Sequence, residues 1–78
     1  MLLKIPKIVW EYSTTYECDV AVNTIIPYTI RDIKGEIHCY YGNVGRYKLF
    51  THIEDAKEWV EQIHYPQKLA NYFEVIHD

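Results

Sequence analysis

The chain has 78 residues, of which 49% are hydrophobic, with two Trp, eight Tyr and two Phe. That length suits one domain, residues 1–78, and that composition excludes a disordered or low-complexity segment. The formal net charge is -3, from 8 basic and 11 acidic residues. The basic residues are scattered singly instead of forming the patch that phosphate binding needs, so we expect no direct contact with nucleic acid.

The apolar segments of the chain are too short to cross a membrane. The longest uncharged run, residues 20–30, is well below the roughly 20 residues that a membrane-spanning helix needs, and it contains Pro27. Residues 1–6 lack the apolar region of about 7–15 residues that defines a secretory signal. We therefore expect a cytoplasmic protein with no membrane partner.

Five segments alternate apolar and polar residues with the period of two that is typical of half-buried strands. Turn residues separate them, and Gly35 can adopt the positive φ that a tight hairpin requires. The predicted strands are Lys7–Tyr12, Cys18–Asn23, Tyr28–Ile33, Glu36–Tyr41 and Arg46–Phe50.

The period changes to that of a helix at Thr51. Thr51 and Glu54 have the spacing of a capping box, which predicts a helix start. Tyr65 precedes Pro66, a position that disfavours helical geometry, so we expect the first helix to stop there and a second to begin at Pro66. The predicted apolar stripes are Ile53, Ala56, Trp59, Val60 and Ile63 on the first helix, and Leu69, Tyr72, Phe73 and Ile76 on the second.

These elements predict an α+β fold. We expect a curled antiparallel sheet of four or five strands, covered on one face by a C-terminal helix pair. The other face of the sheet stays open, and we expect Val9, Ile33 and Tyr40 to lie on it.

The residues that usually carry chemistry do not form a motif. The four histidines lie in four different predicted elements without zinc-site spacing, and Cys18 and Cys39 are typical of small buried hydrophobes. His38 and Cys39 are strand neighbours that point to opposite faces, whereas a Cys18 and His52 pair stays geometrically open. We predict no catalytic residues, no metal and no cofactor.

Four pieces of the chain occur in a fixed order: a tryptophan strand, a Tyr-x-Ile strand, a glycine hairpin and a capped helix. They are Val9–Glu11, Tyr28–Ile30, Lys34–Glu36 and Thr51–Lys57. In this order the sequence resembles short phage and prophage proteins, and it is similar in size and charge to phage inhibitors of CRISPR defence. The resemblance implies a non-enzymatic, stoichiometric inhibitor that occludes a bacterial nucleic-acid-handling defence complex, such as a CRISPR effector, in the host cytoplasm.

Two surfaces are candidate partner-binding sites. One is an acidic helix face that can dock on a basic groove, although a solvated face explains it equally simply. The other is a hairpin whose exposed tyrosines can anchor an interface, or can be partly buried. The candidates are Glu54, Asp55, Glu58 and Glu61 on the helix, and Tyr40, Arg46 and Tyr47, with Gly42 and Asn43, on the hairpin.

The tyrosine count also suggests further exposed rings, at Tyr16 and Tyr65. The alternative function is a self-associating structural or accessory protein of a phage or prophage, such as a homodimer formed through the open sheet face or a sheet edge.

Overall fold

The computed structural model describes residues 7–42 and 45–72 and has the predicted α+β architecture. An open five-stranded antiparallel sheet follows chain order, so each strand pairs with the next one along the chain. The strands are β1 (Trp10–Ser13), β2 (Cys18–Ala21), β3 (Tyr28–Ile33), β4 (Glu36–Tyr41) and β5 (Tyr47–Phe50). The prediction of β3 and β4 is confirmed to the residue, and the other three strands are shorter than predicted.

The hairpin between β3 and β4 turns on two residues. Lys34 has φ of 53° and Gly35 has φ of 89°. Two successive positive φ values match the right-handed twist of the flanking strands. The carboxylate of Asp32 accepts a hydrogen bond from the Gly35 N–H at 2.9 Å, which holds the turn closed.

One face of the sheet carries the core. Tyr28 and Ile30 of β3 and Ile37 and Cys39 of β4 are buried there, as the alternation predicts. In β2 the residue that belongs to this core cluster is Ala21. Its β1 partner is Trp10, half-buried against the same cluster. Cys18 and Cys39 are both buried free thiols, as expected.

The helical part runs without a break from Ile53. It consists of α1 (Ile53–Trp59), a π-helical turn (Val60–His64) and α2 (Tyr65–Tyr72), so the predicted pair of helices forms one continuous helical stretch. The predicted capping box is wrong: the N-cap is His52, and its side chain makes no capping hydrogen bond.

Pro66 does not stop the helix, because the π turn precedes it. A proline inside an α-helix clashes with the carbonyl four residues earlier and lacks its own N–H. The Tyr65 N–H bonds to the Val60 carbonyl five residues back, which changes the helical register just before Pro66. The extra residue per turn points Ile63 to solvent, so its predicted burial is wrong, and His64 and Tyr65 enter the core instead.

Only the first part of the predicted second stripe can be compared. Leu69 is buried in the core, whereas Phe73 and Ile76 lie outside the described residues. No helix within residues 7–42 and 45–72 is long and apolar enough to cross a membrane.

Candidate protein-binding surface

The helix packs on one face of the sheet and leaves the second face open. Strand register places on it the side chains that alternate with the core positions, and we call this set the uncovered face. Its members include Glu11, Val20, Thr29, Arg31, His38, Tyr40, Tyr47 and Leu49, and the same alternation adds Ser13, Glu36 and the buried Cys18 at the strand ends. Val9 and Ile33 continue it at its ends, as predicted. Within the described part of the chain, no helix or strand packs over it.

Three aromatic rings meet on the uncovered face. His38 stacks on Tyr47 with ring centroids 4.7 Å apart, and Tyr40 lies 5.3 Å from Tyr47. Tyr40 and Tyr47 are directly opposite in the register of β4 and β5. The Tyr41 N–H bonds to the Arg46 carbonyl, so the alternate Tyr40–Tyr47 pair has no mutual backbone hydrogen bonds and its side chains lie closer together.

Tyr47 and the neighbouring Leu49 are the most exposed apolar side chains of β5. They are 49% and 53% exposed, so they point to solvent and do not turn inward. Tyr40 is half-buried beneath its neighbours. The β4–β5 hairpin therefore presents an aromatic and aliphatic patch at the β5 side of the uncovered face, formed by His38, Tyr40, Tyr47 and Leu49.

Two polar side chains beside the aromatic rings are incompletely satisfied. Arg31 and His38 are directly opposite each other on β3 and β4. Arg31 Nε and His38 Nδ1 are enclosed, and neither has a hydrogen-bond partner among the residues that the structure describes. The other His38 nitrogen, Nε2, lies 3.4 Å from a Glu36 carboxylate oxygen. Enclosed polar atoms without partners cost free energy in the isolated molecule.

The acidic helix residues do not behave as one set. Glu54, Asp55 and Glu58 are exposed along α1. Glu61 is half-buried, and its carboxylate accepts a hydrogen bond from Trp10 Nε1 at 2.9 Å. It therefore ties the helical stretch to β1, and it is not a member of the exposed acidic face on which the sequence analysis placed it.

The two groups of predicted site residues lie on opposite sides of the sheet. The structure brings Tyr40 and Tyr47 together but places the helix carboxylates on the far side. Arg46 is exposed just before β5, and its register position is on the helix side. Asn43 lies outside the described residues.

Of the two further tyrosines predicted to be exposed, Tyr16 is, at 68%. Tyr65 is buried, so that prediction is wrong. Its hydroxyl accepts a hydrogen bond from the Ile25 N–H at 3.2 Å, which joins the helix to the β2–β3 loop.

The shifted pKa values belong to the core and not to the uncovered face. Burial raises the pKa of Tyr28 above its ordinary value, with smaller contributions from Tyr65 and Cys39. Burial also raises the pKa of the Cys39 thiol to about 12. Burial and, to a lesser degree, Lys68 lower the pKa of His64. These shifts arise from apolar packing, which is what a structural core produces.

The sequence analysis missed two residues of the patch, His38 and Leu49. The strand period did place His38 on the same side as Tyr40, which was the available signal. No protein-family model, curated protein or solved structure matches this chain. The surface therefore has to be interpreted from its own chemistry.

Proposed function

We propose that this chain is a small protein-binding module that recognises a partner through the uncovered face. The observation that carries the proposal is the patch of Tyr47, Leu49, Tyr40 and His38, which no described element covers. Tyrosine supplies a large apolar area and a polar hydroxyl at low entropic cost, and such residues dominate the energetics of protein interfaces. A stacked, strand-mounted patch is also already ordered before binding.

The unsatisfied nitrogens of Arg31 and His38 give the patch a polar component. Both atoms are enclosed by neighbouring side chains, so a partner reaches them only when those side chains shift. A partner that supplies an acceptor to Arg31 Nε on binding removes the desolvation cost that this donor bears in the isolated molecule. This favours a partner with carboxylate or carbonyl groups next to its apolar contacts.

The partner proposed from the resemblance is a bacterial nucleic-acid-handling defence complex, blocked by occlusion in the host cytoplasm. Its support in the structure is electrostatic. Glu54, Asp55 and Glu58 are exposed close together, and the chain has a net charge of -3. A negative surface is steered towards a groove that normally binds nucleic acid. The proposed action consumes one protein molecule per complex and includes no catalytic step.

The binding surface is tested by capture from bacterial lysate with wild-type protein and single variants. We expect a protein that wild type retains and Tyr47→Ala loses, since an anchor residue contributes about 2 kcal/mol or more. Tyr16→Ala is the matched control, because Tyr16 is an exposed tyrosine outside the uncovered face. Equal retention by the Tyr47 and Tyr16 variants would exclude the uncovered face as the binding surface.

The partner class needs a separate measurement. Purified CRISPR effectors are titrated with the protein while target cleavage is followed. We expect cleavage to stop near one protein molecule per effector complex. If one protein molecule inhibited many effector complexes, it would act by turnover, and the stoichiometric mechanism would be rejected. Uninhibited effectors at a large excess would reject this partner class while leaving the binding surface untouched.

The competing function is self-association through the same face. Its support is the apolar extension at Val9 and Ile33, which are 48% and 37% exposed. Light scattering at micromolar concentration separates the two functions. A particle of 9.4 kDa rejects self-association, and a particle of twice that mass supports it.

A further inference from the structure

The free side of β5 exposes unpaired backbone groups. β5 is the last strand of the sheet, so its outer side has no neighbouring strand within the described residues. The Tyr41 N–H donates to the Arg46 carbonyl at 3.1 Å. The side to which the N–H and C=O groups of successive residues point alternates along a strand, so those of Lys48 also point to β4. Those of Tyr47 and Leu49 point away from the sheet, and this row of donors and acceptors is what an added strand would bind.

The side chains at this edge differ on the two sides of the sheet. Tyr47 and Leu49 are half exposed on the uncovered face. Arg46 and Lys48 alternate with them on the helix side, and both are exposed. The Lys48 ammonium lies 5.8 Å from the Phe50 ring centre and 5.7 Å from that of Trp59, so its charge is held beside the edge. The edge is therefore apolar on one side and cationic on the other.

The β5 edge of a second copy fits this edge poorly. Two-fold pairing centred on Lys48 places two lysines directly opposite each other, and pairing centred on Tyr47 places Lys48 opposite Arg46. Like charges that face each other across two strands are destabilising, and lysine on an edge strand commonly prevents self-pairing. A register centred on Leu49 requires the strand to continue through Thr51, where the chain bends towards the helix.

We propose that the β5 edge binds an extended acidic segment of the partner protein as a sixth strand. This rests on the proposed protein-binding function and names the kind of segment recognised. Apolar side chains of the segment lie beside Tyr47 and Leu49, and an acidic side chain between them faces Lys48. Main-chain hydrogen bonds supply affinity, and the alternation of apolar and acidic residues supplies specificity.

A shallow depression of about 290 Å³ lies at the end of the same edge, lined by Gly35, Glu36, Leu49, Phe50 and Thr51. It accommodates a side chain that follows the paired part of the segment. The edge and the depression together extend the patch on the uncovered face.

The test measures the binding of a capped heptapeptide, Ser-Val-Asp-Val-Asp-Val-Ser, to the protein by NMR at millimolar peptide concentration. We expect amide exchange of Tyr47 and Leu49 to slow about tenfold, because their N–H groups gain acceptors. Exchange at Lys48 and Phe50 changes less, since both are already bonded to β4. Two control peptides carry Lys in place of Asp, or an N-methyl group on the central Val. We expect neither to bind.

Protein variants separate backbone pairing from side-chain contact. Leu49→Pro removes an outward N–H that β4 does not use, a position where an edge strand tolerates proline. We expect it to weaken peptide binding about tenfold more than Leu49→Ala, which keeps the N–H. Lys48→Glu should reverse the preference between the two peptides, so that the Lys peptide binds and the Asp peptide does not. Spectra of each variant establish that it is folded.

Three results would overturn the edge proposal: no binding of the Asp peptide, equal binding of the Asp and Lys peptides, or binding that Leu49→Pro leaves unchanged. Each is distinguishable from failure of the proposed function. Partner capture that depends on Tyr47 but coexists with any of these results would retain the uncovered face and reject strand addition.

Discussion

A histidine and a tyrosine share a hydrogen bond inside the core. Tyr28 Oη lies 2.7 Å from His64 Nδ1, and both side chains are buried. We assign the hydroxyl as donor, which places the imidazole proton on Nε2. The rings of Tyr41 and Trp59 lie 4.7 Å from the imidazole centre. An apolar, aromatic enclosure of this kind favours the neutral imidazole.

The first prediction concerns acid stability. The pKa of folded His64 is lowered from 6.5 by burial and by Lys68. Below about pH 6.5 the unfolded chain gains a proton that the folded protein still excludes. The contribution of neutral His64 to the free energy of unfolding is complete above that pH. It is lost as the pH falls towards the pKa of His64 in the folded protein. We expect a lower free energy of unfolding at about pH 5.5 than at about pH 7.5. Ordinary carboxylates are largely ionised at both pH values, so they contribute little to this difference.

Urea denaturation of variants isolates this contribution. His64→Gln removes the titrating group and should reduce the difference between the two pH values. His52→Gln removes an exposed histidine and should retain the wild-type difference. The aromatic rings that approach His64 are those of Tyr28, Tyr41 and Trp59. An unchanged pH dependence in His64→Gln would contradict the assignment.

The second prediction concerns the hydrogen bond between Trp10 Nε1 and Glu61. Glu61→Gln keeps an acceptor oxygen, whereas Glu61→Ala leaves a part-buried indole N–H without one. We expect the Ala variant to lose about 1 kcal/mol of unfolding free energy and the Gln variant to lose clearly less. Urea unfolding followed by tryptophan fluorescence measures both. Equal losses in the two variants would show that packing, and not the hydrogen bond, accounts for the role of Glu61.

At the scale of an element, the β3–β4 turn has a purely conformational requirement. A Cβ built on Gly35 meets no atom within 4 Å, so space does not restrict the position. The positive φ of Gly35 is what restricts the position. We predict that Gly35→Ala costs about 1–2 kcal/mol, the penalty for a left-handed L-residue.

Lys34→Asn is the companion variant of this third prediction. Lys34 also has a positive φ, and asparagine tolerates that conformation better than lysine. We expect the variant to be as stable as wild type or slightly more stable. Thermal unfolding of both proteins is the measurement, and a Gly35→Ala variant as stable as wild type would refute the conformational argument.

The helical stretch shows which features a single sequence can and cannot specify. Alternation located β3 and β4 because side-chain direction in a strand depends only on position parity. The apolar stripe located Ala56 and Val60 for a similar reason. The placement of Ile63 failed because one π turn rotates everything after it. Such a turn is stabilised by tertiary burial of His64 and Tyr65, which local propensity does not encode.

The candidate surface was predictable to the same extent. Tyr40 and Tyr47 were identified from alternation and tyrosine content, and they do meet in space. Glu61 was grouped with the exposed acids because its partner, Trp10, is 51 positions away in the sequence. Contacts over that distance depend on how the helix lies across the sheet, which no window of sequence contains.

For the whole molecule, the fourth prediction concerns charge steering. Reversing Glu54, Asp55 and Glu58 to Lys adds two charges per site and changes the net charge from -3 to +3. Glu61 is left intact because it bonds to Trp10. We expect slower association with the partner and a reversed salt dependence, with little change in dissociation, because exposed charges act mainly on encounter.

Single variants provide the matched control. Glu58→Lys and Glu17→Lys make the same charge change on two exposed residues, one on α1 and one in the β1–β2 turn. Stopped-flow kinetics over a range of salt concentrations compare them. A larger rate decrease for Glu58→Lys supports a specific role for α1, and identical decreases would indicate that only net charge matters.

The reaction rates of the two buried thiols report transient opening of the folded protein. Cys39 is fully enclosed in the core, and Cys18 is buried outside that cluster. A thiol with a pKa of about 12 reacts with a disulfide reagent only after exposure to water. The labelling rate at Cys39 therefore measures how often the core opens, and the rate at Cys18 measures opening near β2 alone. A bound partner that favours the folded state must slow labelling at Cys39 by the factor by which it stabilises the fold.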